Sequence, residues 1–195
     1  LRNRSGCTSS RTGSPSVRAM DRTIQPSSPK ARATYGAMVL PGLVGLAWLR
    51  GRWEGSGYRE WPGEEKIKFA QQVDFAENGG DYLHYLAQAF EVDDDGRPTK
   101  PLFMETGFWR PLPDGTVDVV MCSPDGFAEA WYGKLQPGRL DLVTDAVVRT
   151  PDAKVAYTAG RRLYGTVEGK LMYSFDRATE TEPLRPFVWA TLQRA

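Results

Sequence analysis

The chain has 195 residues, of which 41% are hydrophobic and 25% charged, and its formal net charge is +1. This length predicts a single domain, with or without a terminal tail. No run of residues approaches the ~18 consecutive apolar side chains of a membrane-spanning helix, so membrane insertion is not expected.

Cysteine and histidine are both scarce. The sequence has two cysteines, Cys7 and Cys122, and one histidine, His84. Two cysteines cannot form a disulfide framework, which favours a cytoplasmic location. The same scarcity excludes a metal site built from Cys and His ligands, and no metal site is predicted.

The charges are unevenly distributed along the chain. Residues 1–36 carry seven basic side chains and one acidic one, whereas the remainder carries 18 basic and 23 acidic ones. Segment 1–37 is rich in Ser, Thr, Pro, Gly and Arg, which predicts a disordered basic N-terminal tail. Because the chain begins at Leu1, we expect an upstream over-extension with Met20 or Met38 as the start, and a transit peptide is the alternative. The mildly acidic remainder, 38–195, is the predicted domain, and it does not have the basic face of a nucleic-acid binder.

Residues 38–48 are apolar but interrupted by Pro41, Gly42 and Gly45, which predicts a short helical turn before the first strand. From Leu49 onward, alternating segments are separated by turn signals such as the one at 78–81. The predicted strands are 50–59, 66–77, 81–92, 102–112, 116–122, 127–135, 139–149, 155–167, 170–178 and 185–194. Ten strands joined by hairpins predict an all-β, up-and-down antiparallel β-barrel, with a two-sheet sandwich of immunoglobulin type as the alternative.

The first strand has an unusual face. Successive side chains of a strand point to opposite faces, so Gly51, Trp53, Gly55 and Gly57 share one of them. One large side chain among glycines is typical of the narrow end of a small barrel, or of the close approach of another segment. A phosphate-binding loop is excluded, since no Lys-Ser/Thr pair and no helical pattern follow.

This Gly-x-Trp-x-Gly-x-Gly motif, with three further stretches, resembles the nitrobindin family. The further stretches are Asn78–Leu83, Glu105–Arg110 and Arg162–Gly165. The resemblance runs from about Leu46 to the C-terminus. It implies a barrel of the lipocalin and fatty-acid-binding-protein shape, the calycin type, with haem b in its mouth. The activities that it implies are nitric oxide binding and peroxynitrite isomerisation.

The resemblance also implies a histidine ligand to the haem iron in the last strand. The matching stretch is Pro183–Leu192, in which Phe187 occupies the ligand position. Phenylalanine has no lone pair and cannot ligate iron, and His84 lies on a different strand. The chain is therefore identified as a nitrobindin-like member that has lost its axial histidine, and no haem cofactor is expected.

Without iron ligation, we expect a non-enzymatic protein whose cavity takes a small apolar or amphipathic ligand. A haem-binding nitrobindin with the family activity is one alternative, and a filled barrel acting as an interaction module is another. No catalytic residue is predicted, because His84 has no Gly-x-Ser-x-Gly elbow to accompany it.

Eight side chains are candidates to line such a cavity. They are Trp53, Thr106, Phe108, Arg110, Arg161, Arg162, Trp189 and Thr191. Strand alternation places Trp189 and Thr191 on the same face as Phe187. One of the adjacent Arg161 and Arg162 must point inward, where a ligand carboxylate could neutralise it. An ion pair with an acidic residue of the barrel is the competing explanation, and the acidic candidates are Glu105, Glu129 and Asp145.

Overall fold

The computed structural model describes residues 41–195, so the predicted tail over 1–37 lies outside the described residues. The described part contains one 3₁₀ helix, η1, and ten strands. Their bounds are η1 Pro41–Leu46, β1 Gly51–Arg59, β2 Ile67–Glu77, β3 Leu83–Val92, β4 Pro98–Pro111, β5 Thr116–Ser123, β6 Phe127–Gln136, β7 Arg139–Arg149, β8 Tyr157–Val167, β9 Lys170–Thr179 and β10 Arg185–Arg194. The predicted helical turn is η1, and β4 begins at Pro98 rather than at residue 102.

The strands form a closed barrel in which each strand pairs antiparallel with its neighbours in sequence. The barrel closes where β1 pairs with β10, with Gly57 opposite Ala190. Every strand is thus paired on both sides, which leaves no free sheet edge. The predicted ten-stranded up-and-down barrel is confirmed, and the alternative sandwich is excluded.

Alternation along each strand directs one set of side chains into the barrel. In β2 the buried positions are Phe69, Gln71, Val73 and Phe75, with more exposed residues between them. The other strands alternate in the same way except at bulges such as the one in β10, and their inward-facing side chains fill one common core. The interior is rich in aromatic rings that meet edge to face, such as Phe75 and Trp109 at 5.1 Å between centroids.

Two structural features explain the glycines of β1. Gly51 has φ of 98°, a left-handed conformation that favours glycine. At Gly55 and Gly57, an added Cβ would overlap the backbone oxygens of Thr191 and Trp189 in β10. The motif face therefore permits the close approach of β10 where the barrel closes.

The two ends of the barrel differ. The turns that follow β1, β3, β5, β7 and β9 lie at one end, which we call the mouth. At the other end, the closed end, η1 and the segment after it bury Leu43, Leu46 and Leu49 completely. The indole Nε1 of Trp53 donates to the Leu49 backbone oxygen at 2.7 Å and ties this segment to β1. Within residues 41–195, no helix is long and apolar enough to cross a membrane.

Candidate ligand cavity

A cavity of about 200 Å³ opens at the mouth. Its apolar wall comes from β4, β6, β9, β10 and the turn before β8. The apolar lining residues are Leu102, Phe103, Met104, Phe127, Val155, Phe175, Phe187 and Val188. Charged side chains interrupt this wall at the bottom and at the rim, so the cavity suits a molecule with both an apolar and a polar part.

The floor of the cavity is a buried ion pair between Arg162 and Glu105. The guanidinium donates two hydrogen bonds to the carboxylate, Nη1 to Oε1 and Nη2 to Oε2, both at 2.6 Å. Tyr85 Oη donates to Glu105 Oε1 at 2.7 Å, and the Arg162 guanidinium lies 4.2 Å from the centre of the Phe175 ring. Burial alone would raise the pKa of Glu105, but the charge and hydrogen bonds of Arg162 hold it below its ordinary value. Both groups are therefore charged, and each neutralises the other.

Glu129 is a second carboxyl group inside the barrel, and its side chain has a different environment. It is 3% exposed, and its Oε1 has no hydrogen-bond partner among the described residues. Burial raises the pKa of Glu129, in contrast to that of Glu105. The Tyr157 hydroxyl and the Trp131 indole nitrogen are also buried without a partner in residues 41–195. The charge of Arg162 and the nearby polar groups of Tyr157 and Trp131 oppose this rise in pKa without cancelling it, so Glu129 is less well compensated than Glu105.

Arg177 lies at the rim beside two aromatic rings. Its guanidinium carbon is 3.6 Å from the Phe187 ring centre and 4.1 Å from that of Trp61. The residue is 7% exposed, and its Nε has no hydrogen-bond partner in the described part of the chain. Burial lowers the pKa of Arg177 to about 10, so the group stays positively charged at neutral pH.

Arg177 also differs from the other cations that line the cavity. Each of those has a carboxylate at short range within the lining. The pairs are Arg59 with Glu64 at 2.8 Å, Lys154 with Asp125 at 2.6 Å, and Arg162 with Glu105 at 2.6 Å. Among residues 41–195, no carboxylate lies within ion-pair distance of Arg177. The lining thus has one positive charge more than its carboxylates neutralise.

The structure corrects the predicted orientation of β4. Thr106, Phe108 and Arg110 point to the outer face, where Phe108 is 53% exposed and Arg110 pairs with Asp118. The inward-facing residues are Glu105 and Trp109, on the opposite parity. Parity alone gave no basis for choosing between the two faces, and the choice of Thr106, Phe108 and Arg110 as cavity residues is wrong.

In β8, Arg162 points inward and Arg161 outward. Arg161 Nε donates to Asp141 Oδ1 at 3.1 Å on the outer surface, so it does not line the cavity. The competing explanation for the inward arginine, an ion pair with Glu105, describes Arg162.

In β10, the register with β9 shifts between Pro186 and Val188. This bulge lets Phe187 and Val188 both line the cavity, and the alternation after it reverses. Trp189 and Thr191 therefore lie on the outside, where Trp189 packs against Tyr58 at 6.0 Å between ring centroids. The prediction that both share the face of Phe187 is wrong for this reason. Trp53 is inside as expected, but it lies at the closed end and does not line the cavity.

Of the eight predicted cavity residues, only Arg162 lines the cavity. The lining residues Phe175, Arg177 and Val188 were not predicted, and neither was Trp61, which contacts Arg177 without lining the cavity. Arg177 continues the inward series Leu171, Tyr173 and Phe175 of β9, so a charged residue in an otherwise apolar face was the available signal. Trp61 lies in the turn after β1 and no periodic pattern marks it.

Comparison with known proteins also identifies a barrel domain. The model of the THAP4-like, heme-binding beta-barrel domain matches residues 42–194. The chain belongs to this family. A ferric nitrobindin-like protein of Cutibacterium acnes is 53% identical over 154 residues, which are 78% of this chain and 93% of that protein. A peroxynitrite isomerase of Nocardioides sp. is 46% identical over 149 residues, 76% of this chain and 90% of that protein.

A solved structure of the same shape is Rv2717c from M. tuberculosis. It aligns with a TM-score of 0.72 and 29% identity, over 81% of this chain and 99% of that one. The predicted resemblance to nitrobindins is thereby confirmed for the heme-binding barrel domain.

The side chains of this cavity do not fit a haem held through its iron. His84, the single histidine of the chain, lies on the outer face of β3, with Nε2 at 3.0 Å from Thr106 Oγ1 and its ring against Phe108. Burial raises the pKa of Tyr157 and of Tyr173, which disfavours the phenolate form that ligates iron. The one thioether of the lining, Met104, is 39% exposed at the rim and has no histidine opposite it.

Proposed function

We propose that this member of the family binds a small apolar or amphipathic molecule in the mouth cavity, without ligating iron. The observation that carries the proposal is the outward position of His84, because the chain has no other histidine. At the position that the nitrobindin resemblance assigns to the haem ligand, the cavity wall instead has the apolar ring of Phe187. An apolar wall of this kind favours ligands that lose water-exposed surface on entry.

The competing function is the haem chemistry suggested by the names of the relatives, and a haemin titration separates the two. Full-length protein is titrated with haemin, and the Soret region is followed by visible spectroscopy. We expect no saturable Soret shift, because no imidazole reaches the cavity. A sharp, saturable shift that survives in His84→Ala would overturn the proposal, since it would require another axial ligand inside the barrel.

The position of Phe187 gives a gain-of-function test. Phe187→His places an imidazole in the cavity wall between Phe175 and Trp61, and we expect it to create saturable haem binding. Phe187→Ala is the matched control, since it opens similar space without supplying a ligand. If the histidine variant folds but shows no Soret band beyond that of the alanine variant, Phe187 is not at the ligand position.

Ligand binding itself is tested with octan-1-ol as an apolar probe, by calorimetry on the full-length chain. We expect saturable binding that is lost in Val155→Trp, because Val155 lines the cavity and an indole there would fill it. Val167→Trp is the control, since Val167 is exposed on β8 and does not line the cavity. Absence of binding to the wild type would leave the filled barrel as the remaining interpretation.

A further inference from the structure

We propose that the natural ligand of the cavity is an amphipathic carboxylate whose head group binds Arg177 at the rim and whose apolar part enters the barrel. This proposal rests on the proposed function and specifies the chemical class of the ligand.

The burial of Arg177 is not fully compensated by the residues around it. A buried charge is unfavourable unless an opposite charge or hydrogen-bond acceptors accompany it. Arg177 is more than nine-tenths buried, and its Nε has no acceptor among residues 41–195. The two aromatic rings compensate only in part, through cation–π contacts. A bound anion would supply the missing acceptor.

The guanidinium keeps a donor available for an anion. The ring centres of Trp61 and Phe187 lie 4.1 and 3.6 Å from its carbon and 5.6 Å from each other, so the two rings approach it from directions about a right angle apart. The Nε–H group has no acceptor among residues 41–195, so this donor remains available. A planar fork of N–H donors matches the two oxygens of a carboxylate. The arrangement therefore favours a carboxylate head group.

The other cations of the lining are already paired. Arg59, Lys154 and Arg162 already have carboxylate partners, so an incoming anion can bind Arg177 without breaking an ion pair. The ring of Phe187 contacts Arg177, and the ring of Phe175 lies behind it at 5.6 Å between ring centres. The ligand therefore needs an apolar part directly behind its head group.

The volume of the cavity restricts the size of that apolar part. About 200 Å³ is available, below the ~300–1,000 Å³ of pockets for drug-sized ligands. We therefore choose a medium-length straight chain as the probe, and compare octanoate with octan-1-ol, which has the same chain and no charge.

The experiment measures both dissociation constants by calorimetry on full-length protein at neutral pH. We expect octanoate to bind about 10- to 100-fold more tightly than octan-1-ol, the range of a charge-assisted hydrogen bond. Arg177→Met should reduce this ratio to about one, while leaving octan-1-ol binding in place. Arg110→Met is the matched control, because it removes the same charge from an exposed pair on the outer face and should keep the wild-type ratio.

The outcomes separate this proposal from the proposed function. Equal affinity of the wild type for the two probes would overturn the carboxylate proposal and leave the proposed function standing. Binding of neither probe would overturn both. If Arg177→Met does not fold, Arg177→Lys serves instead, and it should keep a preference for octanoate that is weaker than that of the wild type, since lysine lacks the planar fork. An unchanged ratio in a folded Arg177 variant would place the anion elsewhere and overturn the proposal.

Discussion

Glu105 is the residue on which the charge balance of the cavity floor depends. Replacing it by Gln leaves Arg162 buried without an anionic partner, and Arg162 is only 2% exposed. Breaking a buried pair from one side typically destabilises a protein by about 3–5 kcal/mol. We expect Glu105→Gln to lower the free energy of unfolding by this amount, measured by urea denaturation.

Asp118→Asn is the control for Glu105→Gln, because it removes a carboxylate from the exposed pair with Arg110. Pairs of that kind contribute about 1 kcal/mol or less. Equal losses of unfolding free energy in the two variants would contradict the view that the buried pair of Glu105 stabilises the protein more than an exposed pair does.

The carboxyl group of Glu129 should lower the free energy of unfolding at neutral pH, whereas that of Glu105 should raise it. Its native pKa is raised by burial, so between the unfolded and native pKa values the native state binds more protons than the unfolded one. Stability then falls as the pH rises through this window. Because Gln does not titrate, we expect Glu129→Gln to be more stable than the wild type at about pH 8, with the difference shrinking towards about pH 4, near the ordinary pKa of a glutamate.

The measurement for Glu129 is a series of urea unfolding curves across that pH range for both proteins. A stability difference that does not change with pH would contradict the prediction, since it would point to packing rather than to ionisation.

At the scale of elements, the closure of β1 onto β10 is the most sensitive contact. A methyl group at Gly55 would overlap the Thr191 carbonyl oxygen, so the two strands would have to separate. We expect Gly55→Ala to destabilise the barrel by about 1–3 kcal/mol in denaturant unfolding, the usual effect of overpacking.

Gly165→Ala is the matched control in β8, because the nearest atom to its added Cβ is the Gly138 oxygen at 3.8 Å, an ordinary contact. There the loss of unfolded-state freedom should make the change neutral or stabilising by up to about 1 kcal/mol. A loss at Gly165 as large as that at Gly55 would mean that glycine is needed for flexibility rather than for close approach.

The elements themselves could be predicted from the sequence, because alternation and hairpin turns are local signals. Which face of each strand points into the barrel could not be predicted. The β10 bulge at Phe187 reverses the inward direction after one residue, and the local signal for it is Pro186, which cannot donate a ladder hydrogen bond. Likewise, Glu105 and Arg162 are 57 positions apart, and their contact follows from how β4 and β8 face each other across the barrel. The sequence therefore indicated Arg162 and Glu105 among the possible ion-pair partners, but not that these two residues pair with each other.

At the scale of the whole molecule, family membership and ligand chemistry are separate questions. The barrel domain and its relatives fix the family, and the glycine motif and its companion stretches were sufficient to predict it. The content of the cavity depends instead on a few side chains at the mouth, such as Phe187 and Arg177. A single family fold can thus carry a different ligand when those side chains change.

Among the described residues, η1 and the segment after it cover the closed end, so we expect a ligand to exchange with solvent through the mouth. A molecule that enters past Trp61 must leave along the reverse of the same path, so entry and exit share one transition state. An obstruction at the rim that makes no contact with the bound molecule would slow association and dissociation by the same factor. Occupancy at equilibrium would then be unchanged, while the residence time would lengthen.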